Sequence, residues 1–138
     1  MRRPLATVSL VLATLALSGC TTQTSSSADR FQGAEREIAE LVDELASAGR
    51  SGDGEEICTR IVSSELAKEL ADGGDCNDEV SKGVSDANNF DLEVREVTVT
   101  GTTARAEVRQ GDDGRTATFE FAREDGGWRA TSLAAGSS

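Results

Sequence analysis

The sequence predicts an α+β domain in which N-terminal helices pack on a curved four-stranded antiparallel meander. Two patterns support this prediction. Up to residue 87, apolar residues recur at intervals of three and four, which is the period of helices that are buried on one face. After Phe90, apolar and polar residues alternate as in half-buried strands, and turns rich in Gly and Asp divide this part of the chain into four segments. Helices followed by strands are typical of the α+β class.

Four helices are predicted. The first spans residues 34–48 and is ended by Gly49 and then by residues 51–54 (Ser-Gly-Asp-Gly), after which a short second helix follows. The third spans 65–71 with Ser64 as its N-cap, and the fourth spans 78–87. Their inward-facing residues are Ile38, Leu41, Val42, Leu45, Ile57, Cys58, Ile61, Val62, Leu66, Leu70, Val80 and Val84.

The four strands are predicted at 92–100, 104–109, 117–121 and 128–133. In the first strand, Leu92 and Val94 are out of phase with Val97 and Val99. Because side chains alternate between the two faces of a strand, one extra residue is needed to bring both pairs to the same face. The sequence therefore predicts a β-bulge at Arg95-Glu96.

Composition excludes several kinds of function. The chain has 138 residues, a length suited to one domain, and a formal net charge of −11. It contains no His and no Tyr, so Ser-His-Asp triads, Cys-His pairs and His-ligated zinc are excluded. A negative charge of this size also argues against a nucleic-acid partner, since binding phosphates needs a basic face. The sequence indicates no cofactor and no metal ion.

The N-terminus has the features of a bacterial lipoprotein signal peptide over residues 1–19. Arg2 and Arg3 precede an apolar run over 5–17, which is shorter than the about 20 apolar residues of a membrane-spanning helix. The run ends in Leu17-Ser18-Gly19-Cys20, which resembles the lipobox, where the cysteine thiol accepts the lipid. We therefore expect lipidation at Cys20, which would place the protein at the cell membrane, facing the extracytoplasmic side.

Residues 20–30 are predicted to form a lipidated tether rich in Ser and Thr, since small polar residues cannot bury enough surface to fold. The domain would then span 31–134, followed by a short tail over 135–138. Cleavage would remove Arg2 and Arg3, so the mature chain would carry a net charge of −13. Anionic head groups repel such a domain, and the membrane is therefore expected as a partner through the lipid alone.

Two cysteines remain once Cys20 is assigned to the lipid. Cys58 and Cys76 would lie outside the reducing cytosol, where an even number of thiols indicates a disulfide. Their spacing differs from the CxxC motif of redox-active pairs, so a structural role is expected. The bond would close a loop of about 18 residues, worth roughly 3 kcal/mol.

The order of elements is similar to the NTF2-like, cystatin-like roll. The resemblance lies in the first amphipathic helix, the Gly52-Asp53 turn before a helix that carries a cysteine, and the final hairpin at 124–128 (Glu-Asp-Gly-Gly-Trp). It covers residues 31–134, and the chain looks like the small NTF2-like lipoproteins common in high-GC Gram-positive bacteria. In that family the sheet and helices often enclose a cone-shaped pocket, and catalytic members place Asp, His or Tyr inside it. This chain has neither His nor Tyr, so no catalytic residue of those members can be assigned to a position in it.

The resemblance implies a pocket against the inner face of the sheet. Small alanines on that face leave room for an apolar ligand. The candidate lining residues are Val97, Val99, Ala104, Ala106, Val108, Phe119, Phe121 and Trp128. The aromatic residues among them are expected to form the core. If the inner face of the sheet bordered a cavity instead, the same residues would line it, because they all face inward.

Three functions stay open from the sequence. The first is a lipid-anchored binding or interaction module without catalytic activity, whose partner is an apolar small molecule or an envelope protein. The second is a small pocket enzyme of the isomerase or dehydratase type, which needs a buried carboxylate; Asp91 and Glu96 lie nearest to the sheet. The third is a purely structural envelope protein. The acidic residues around Asp72 and Asp78 lack the spacing of a calcium loop and are expected to be solvated.

Overall fold

The computed structural model describes residues 26–86, 90–112 and 114–133. It shows an α+β fold in which helices come first and a four-stranded antiparallel sheet follows, as the sequence predicts. The predicted signal peptide, Cys20 and the tail at 135–138 lie outside the described residues. The elements are a 3-10 helix Ser27–Arg30, α1 Gly33–Ser51, α2 Gly54–Glu56 continued by a π-helix Ile57–Ile61, α3 Ser64–Ala71, α4 Cys76–Asp86, β1 Leu92–Thr100, β2 Thr103–Gln110, β3 Arg115–Glu124 and β4 Gly127–Ser132.

The 3-10 helix Ser27–Arg30 differs from the prediction, which assigned these residues to the tether. Ser27 and Ala28 are buried, and the Ser27 hydroxyl accepts a hydrogen bond of 3.2 Å from the backbone N–H of Val94. The Arg30 guanidinium donates to the carbonyl of Val94. Composition alone missed this segment because its serine acts as a hydrogen-bond partner for β1, a role that needs no apolar surface.

Helix α1 is the central helix of the domain and packs against β1, with further contacts to β2 and β4. Its apolar stripe is buried as predicted, with Ile38 and Val42 fully enclosed. The helix ends at Gly52, whose φ of 72° lies in the left-handed region that favours glycine. The Gly52 N–H there donates to the carbonyls of Ala48 and Gly49, which closes the last turn.

The N-cap of α3 is Ser63, one residue before the predicted Ser64. The Ser63 hydroxyl accepts a hydrogen bond of 3.1 Å from the N–H of Leu66, whereas Ser64 is exposed and is the first helical residue. The backbone N–H of Ser63 donates to the carbonyl of Ala130 at 2.8 Å. This bond fixes the start of the helix against β4.

We expect Ser63→Ala to lower the free energy of unfolding by about 1 kcal/mol, because the N–H of Leu66 loses its acceptor in a buried site. Ser64→Ala is the matched control and should change stability by less than about 0.5 kcal/mol. Urea unfolding of the two variants measures both values. Equal losses in the two variants would contradict this assignment of the cap.

The predicted disulfide between Cys58 and Cys76 is confirmed, with the two Cα atoms 6.1 Å apart. It joins the π-helix to the first residue of α4, which begins two residues earlier than predicted. None of the residues Cys76–Asp86 is buried, and Val80 and Val84 are half-buried. Helix α4 also approaches α2 closely, since a Cβ added at Gly54 would lie 2.6 Å from the carbonyl oxygen of Asn77.

The sheet is a meander with the order β1-β2-β3-β4. The predicted bulge is confirmed: Val94 pairs with Val108, whereas Glu96 already pairs with Glu107. The extra residue brings Val94 and Val97 to the buried face together. Val62, just after the π-helix, forms a parallel bridge with Ala130 on β4, so the helical segment also contacts the far edge of the sheet.

Candidate functional site

The predicted pocket residues lie in the hydrophobic core. Seven of the eight are buried, and Val99 is partly buried and packed against them. Two alanines among them lie opposite buried aromatic rings: Ala106 pairs with Phe119, and Ala104 pairs with Phe121, which also pairs with Ala130 on β4. Both rings are 2% exposed and belong to the same core cluster as these alanines. Of the eight residues, Phe119 also reaches the groove described next.

An apolar groove of about 410 Å³ opens between α4, α1 and the sheet. Its lining includes Gly83 of α4 and two polar side chains, Glu79 and Gln110. The apolar lining residues are Leu45, Ile57, Leu70, Val80, Val84, Phe90, Leu92, Phe119 and Leu133. Most of them belong to the inward-facing residues predicted for the helices, so the sequence pointed to their burial but not to the space between them.

Gly83 keeps the α4 side of the groove open. A Cβ added at this position meets nothing within 4 Å, and its backbone is helical, so a side chain can be built there without strain. Val80 and Val84 flank this position and stay half-buried. Gly83, Val80 and Val84 thus give the α4 side of the groove short side chains, and there is room for a larger residue at position 83.

Phe90 forms another part of the groove and is held against α1. A Cβ added at Gly49 would lie 2.2 Å from the Phe90 ring, so only glycine allows this approach. The Arg50 guanidinium donates a hydrogen bond of 3.2 Å to the Phe90 carbonyl. The sequence indicated Gly49 only as a residue that ends the helix; α1 instead continues to Ser51, and the contact of Gly49 with Phe90 depends on tertiary packing.

A second, polar pocket of about 440 Å³ lies near the bulge and contains Glu93. The Glu93 carboxylate is paired with Arg95 at 3.0 Å, Arg30 at 3.4 Å and Arg109 at 3.7 Å, and all four side chains are substantially exposed. The hydrogen bond from Arg95 lowers the pKa of Glu93, and the charges of Arg30 and Arg109 act in the same direction. A carboxylate held in its ionised form is suited to ion pairing, and not to donating a proton.

The carboxylates considered for a pocket enzyme are exposed. Asp91 lies in the wall of the polar pocket, and Glu96 lies on the bulge. Among the described residues, the buried polar ones are Ser27 and Ser63, both of which are hydrogen-bonded. The described part of the chain also contains no group of three or more Cys, Asp or Glu side chains placed to hold a metal ion.

Trp128 takes part in a contact that links α1 to the sheet. Its indole Nε1 donates a hydrogen bond of 3.0 Å to Glu37, and the Arg123 guanidinium lies 4.7 Å from the centre of the ring. Arg123 also donates to Glu37 at 3.2 Å. The tryptophan is thus a buried core residue whose indole N–H has a hydrogen-bond partner.

Comparisons of the chain with protein-family models, curated proteins and solved structures find no match. The resemblance to the NTF2-like roll therefore stays a prediction. Within the residues that the structure describes, no helix has both the length and the apolar character needed to cross a membrane.

Proposed function

We propose that this protein is a lipid-anchored, extracytoplasmic binding module of the cell envelope, built on an NTF2-like roll, and that it holds a small apolar molecule in the groove beside α4. The observation that carries the proposal is the groove itself. Nine apolar side chains line a space of about 410 Å³, within the range of about 300–1,000 Å³ typical of small-molecule sites.

Three further observations support the proposal. The lipobox-like Leu17-Ser18-Gly19-Cys20 supports the anchor, and the Ser/Thr-rich residues that follow would hold the domain away from the bilayer. Helices followed by a four-stranded meander support the NTF2-like roll. The exposed, ion-paired carboxylates near the sheet favour binding over catalysis.

The anchor is tested by Cys20→Ala in the natural host or a related one. We expect the wild type to sediment with membranes and to carry the mass of a lipid, since two acyl chains hold a protein stably on a bilayer. The variant should lose both properties. Equal masses and equal partition into the aqueous phase for the two proteins would refute lipidation.

Groove binding is tested on the full chain in phosphatidylcholine vesicles. An uncharged alkyl diazirine is added as a photoreactive probe, and the peptides that it labels on irradiation are identified by peptide mapping. Gly83→Leu fills the groove and should reduce labelling of groove peptides by about tenfold, equivalent to about 1.4 kcal/mol. Gly83→Ala is the control: it should keep the labelling and gain about 1 kcal/mol of stability from helix propensity. Labelling that Gly83→Leu leaves unchanged would refute the groove as the site.

A further inference from the structure

The two polar side chains that line the apolar groove differ in their partners. Glu79 is held in an ion pair with Lys82 at 2.9 Å. Gln110 is half-buried, and its side chain forms no hydrogen bond with any residue that the structure describes. Within that part of the chain, every fully buried side-chain nitrogen or oxygen atom has a hydrogen-bond partner, so the Gln110 amide is accessible. The groove therefore offers a neutral polar group that is open to a ligand.

The register of β2 places Gln110 in the groove. Gln110 follows Ala106 and Val108 on the inward phase of the strand, so its side chain leaves the sheet on the face of the core. The residue opposite it on β1 is Leu92, which also lines the groove. The residue opposite it on β3 is Arg115, which is exposed and does not line the groove. An apolar stripe of β2 thus ends in an amide at the groove.

We propose that the groove takes an amphiphile with an apolar chain and a neutral head group that donates and accepts hydrogen bonds, such as an alcohol or an amide, and that Gln110 selects this head group. This inference rests on the proposed function. The Gln110 amide offers a carbonyl oxygen and two N–H donors, which suit such a head group. A charged head group would lose its hydration without gaining an opposite charge, since the charged side chain in the described lining, Glu79, is already paired.

The test uses the full chain in phosphatidylcholine vesicles. Alkyl diazirines of one chain length end in a methyl, hydroxyl, carboxamide, carboxylate or trimethylammonium group. The labelling of groove peptides by each probe is divided by its labelling of Gly83→Leu, which removes differences in partition into the vesicles. The hydroxyl and carboxamide probes should exceed the methyl probe by about fivefold, the effect of one hydrogen bond made in place of water. The carboxylate and trimethylammonium probes should stay below the methyl probe.

Two matched variants locate the effect. Gln110→Leu nearly keeps the size of the side chain but removes its hydrogen-bonding groups. It should abolish the about fivefold preference for the hydroxyl and carboxamide probes, while the methyl probe still labels the groove. Gln32→Leu makes the same change at the exposed N-cap of α1, where the side chain makes no capping hydrogen bond and does not line the groove. It should leave every ratio unchanged.

The outcomes distinguish this inference from the proposed function. The head-group inference would be overturned if a methyl or charged probe labelled as strongly as the hydroxyl and carboxamide probes, or if Gln110→Leu kept their preference. Labelling by the methyl probe would then still support the groove. Failure of every probe to exceed its Gly83→Leu background would overturn both. If sedimentation then showed a dimer that Gly83→Leu disrupts, the groove would be a contact between two copies of the chain.

Discussion

Replacing both bridged cysteines, in Cys58→Ser/Cys76→Ser, is expected to lower the free energy of unfolding by about 3 kcal/mol. The bond spans 18 positions of the chain, and its loss releases that loop in the unfolded state. The folded state is affected as well. Since no residue of α4 is buried, the helix has little apolar area of its own to hold it in place. We therefore expect urea unfolding to show the loss of stability and the uncharged probe to label the groove more weakly.

The reduced wild type is the matched control for this double variant. A thiol reductant should bring the wild type to the same unfolding midpoint as the variant and should leave the variant unchanged. A loss below about 1 kcal/mol would show that contacts of α4 with α2 and α3 hold the helix without the bond. Two reactive thiols in the denatured, unreduced protein would contradict the disulfide directly.

Local patterns were sufficient to predict much of the fold. The spacing of Ile38, Val42 and Leu45 predicted the buried face of α1, because apolar residues three and four positions apart lie on a single face of a helix. The phase change between Val94 and Val97 predicted the bulge for a similar reason: without it one valine would face solvent. Counting cysteines, on the expectation that the chain is exported from the reducing cytosol, predicted the disulfide.

Features that depend on the meeting of distant segments were not predicted. The sequence predicted Ser64 as the cap of α3, but the cap is Ser63, whose N–H is bonded to Ala130 on β4. The role of Ser27 requires the edge of β1 to lie beside it. These choices are made by tertiary hydrogen bonds, which no local pattern encodes.

The candidate site illustrates the same difference. Alternation along the strands correctly indicated which side chains face inward, but alternation does not say whether the inward space is filled. In the structure Phe119 and Phe121 are buried there opposite Ala106 and Ala104, whereas the groove lies between the sheet and α4, which lines it with Gly83 and two valines. The size of a cavity depends on how the elements pack. The feature of the sequence that could have indicated the groove is the short side chains of α4, a helix with a weak apolar face.

The largest single effect is expected at Phe121, which distinguishes a filled core from a hollow cone. Phe121 is 2% exposed and lies between Ala104 and Ala130 on the neighbouring strands. Two alanines have no side chain long enough to move into the space of a lost ring. We therefore expect Phe121→Ala to lower the free energy of unfolding by about 3–5 kcal/mol, the range for a cavity that cannot collapse.

Urea unfolding of Phe121→Ala measures this effect. Thr118→Ala, at an exposed position on the same strand, is the control, and its stability should stay within about 0.5 kcal/mol of the wild type. Because Phe121 does not line the groove, Phe121→Ala protein that remains folded should still be labelled there by the uncharged probe. A loss below about 1 kcal/mol, together with new labelling of β2 and β3, would instead mean that the inner face of the sheet borders a cavity. Ligands would then bind beneath the sheet, and the groove beside α4 would be a surface feature of that larger site.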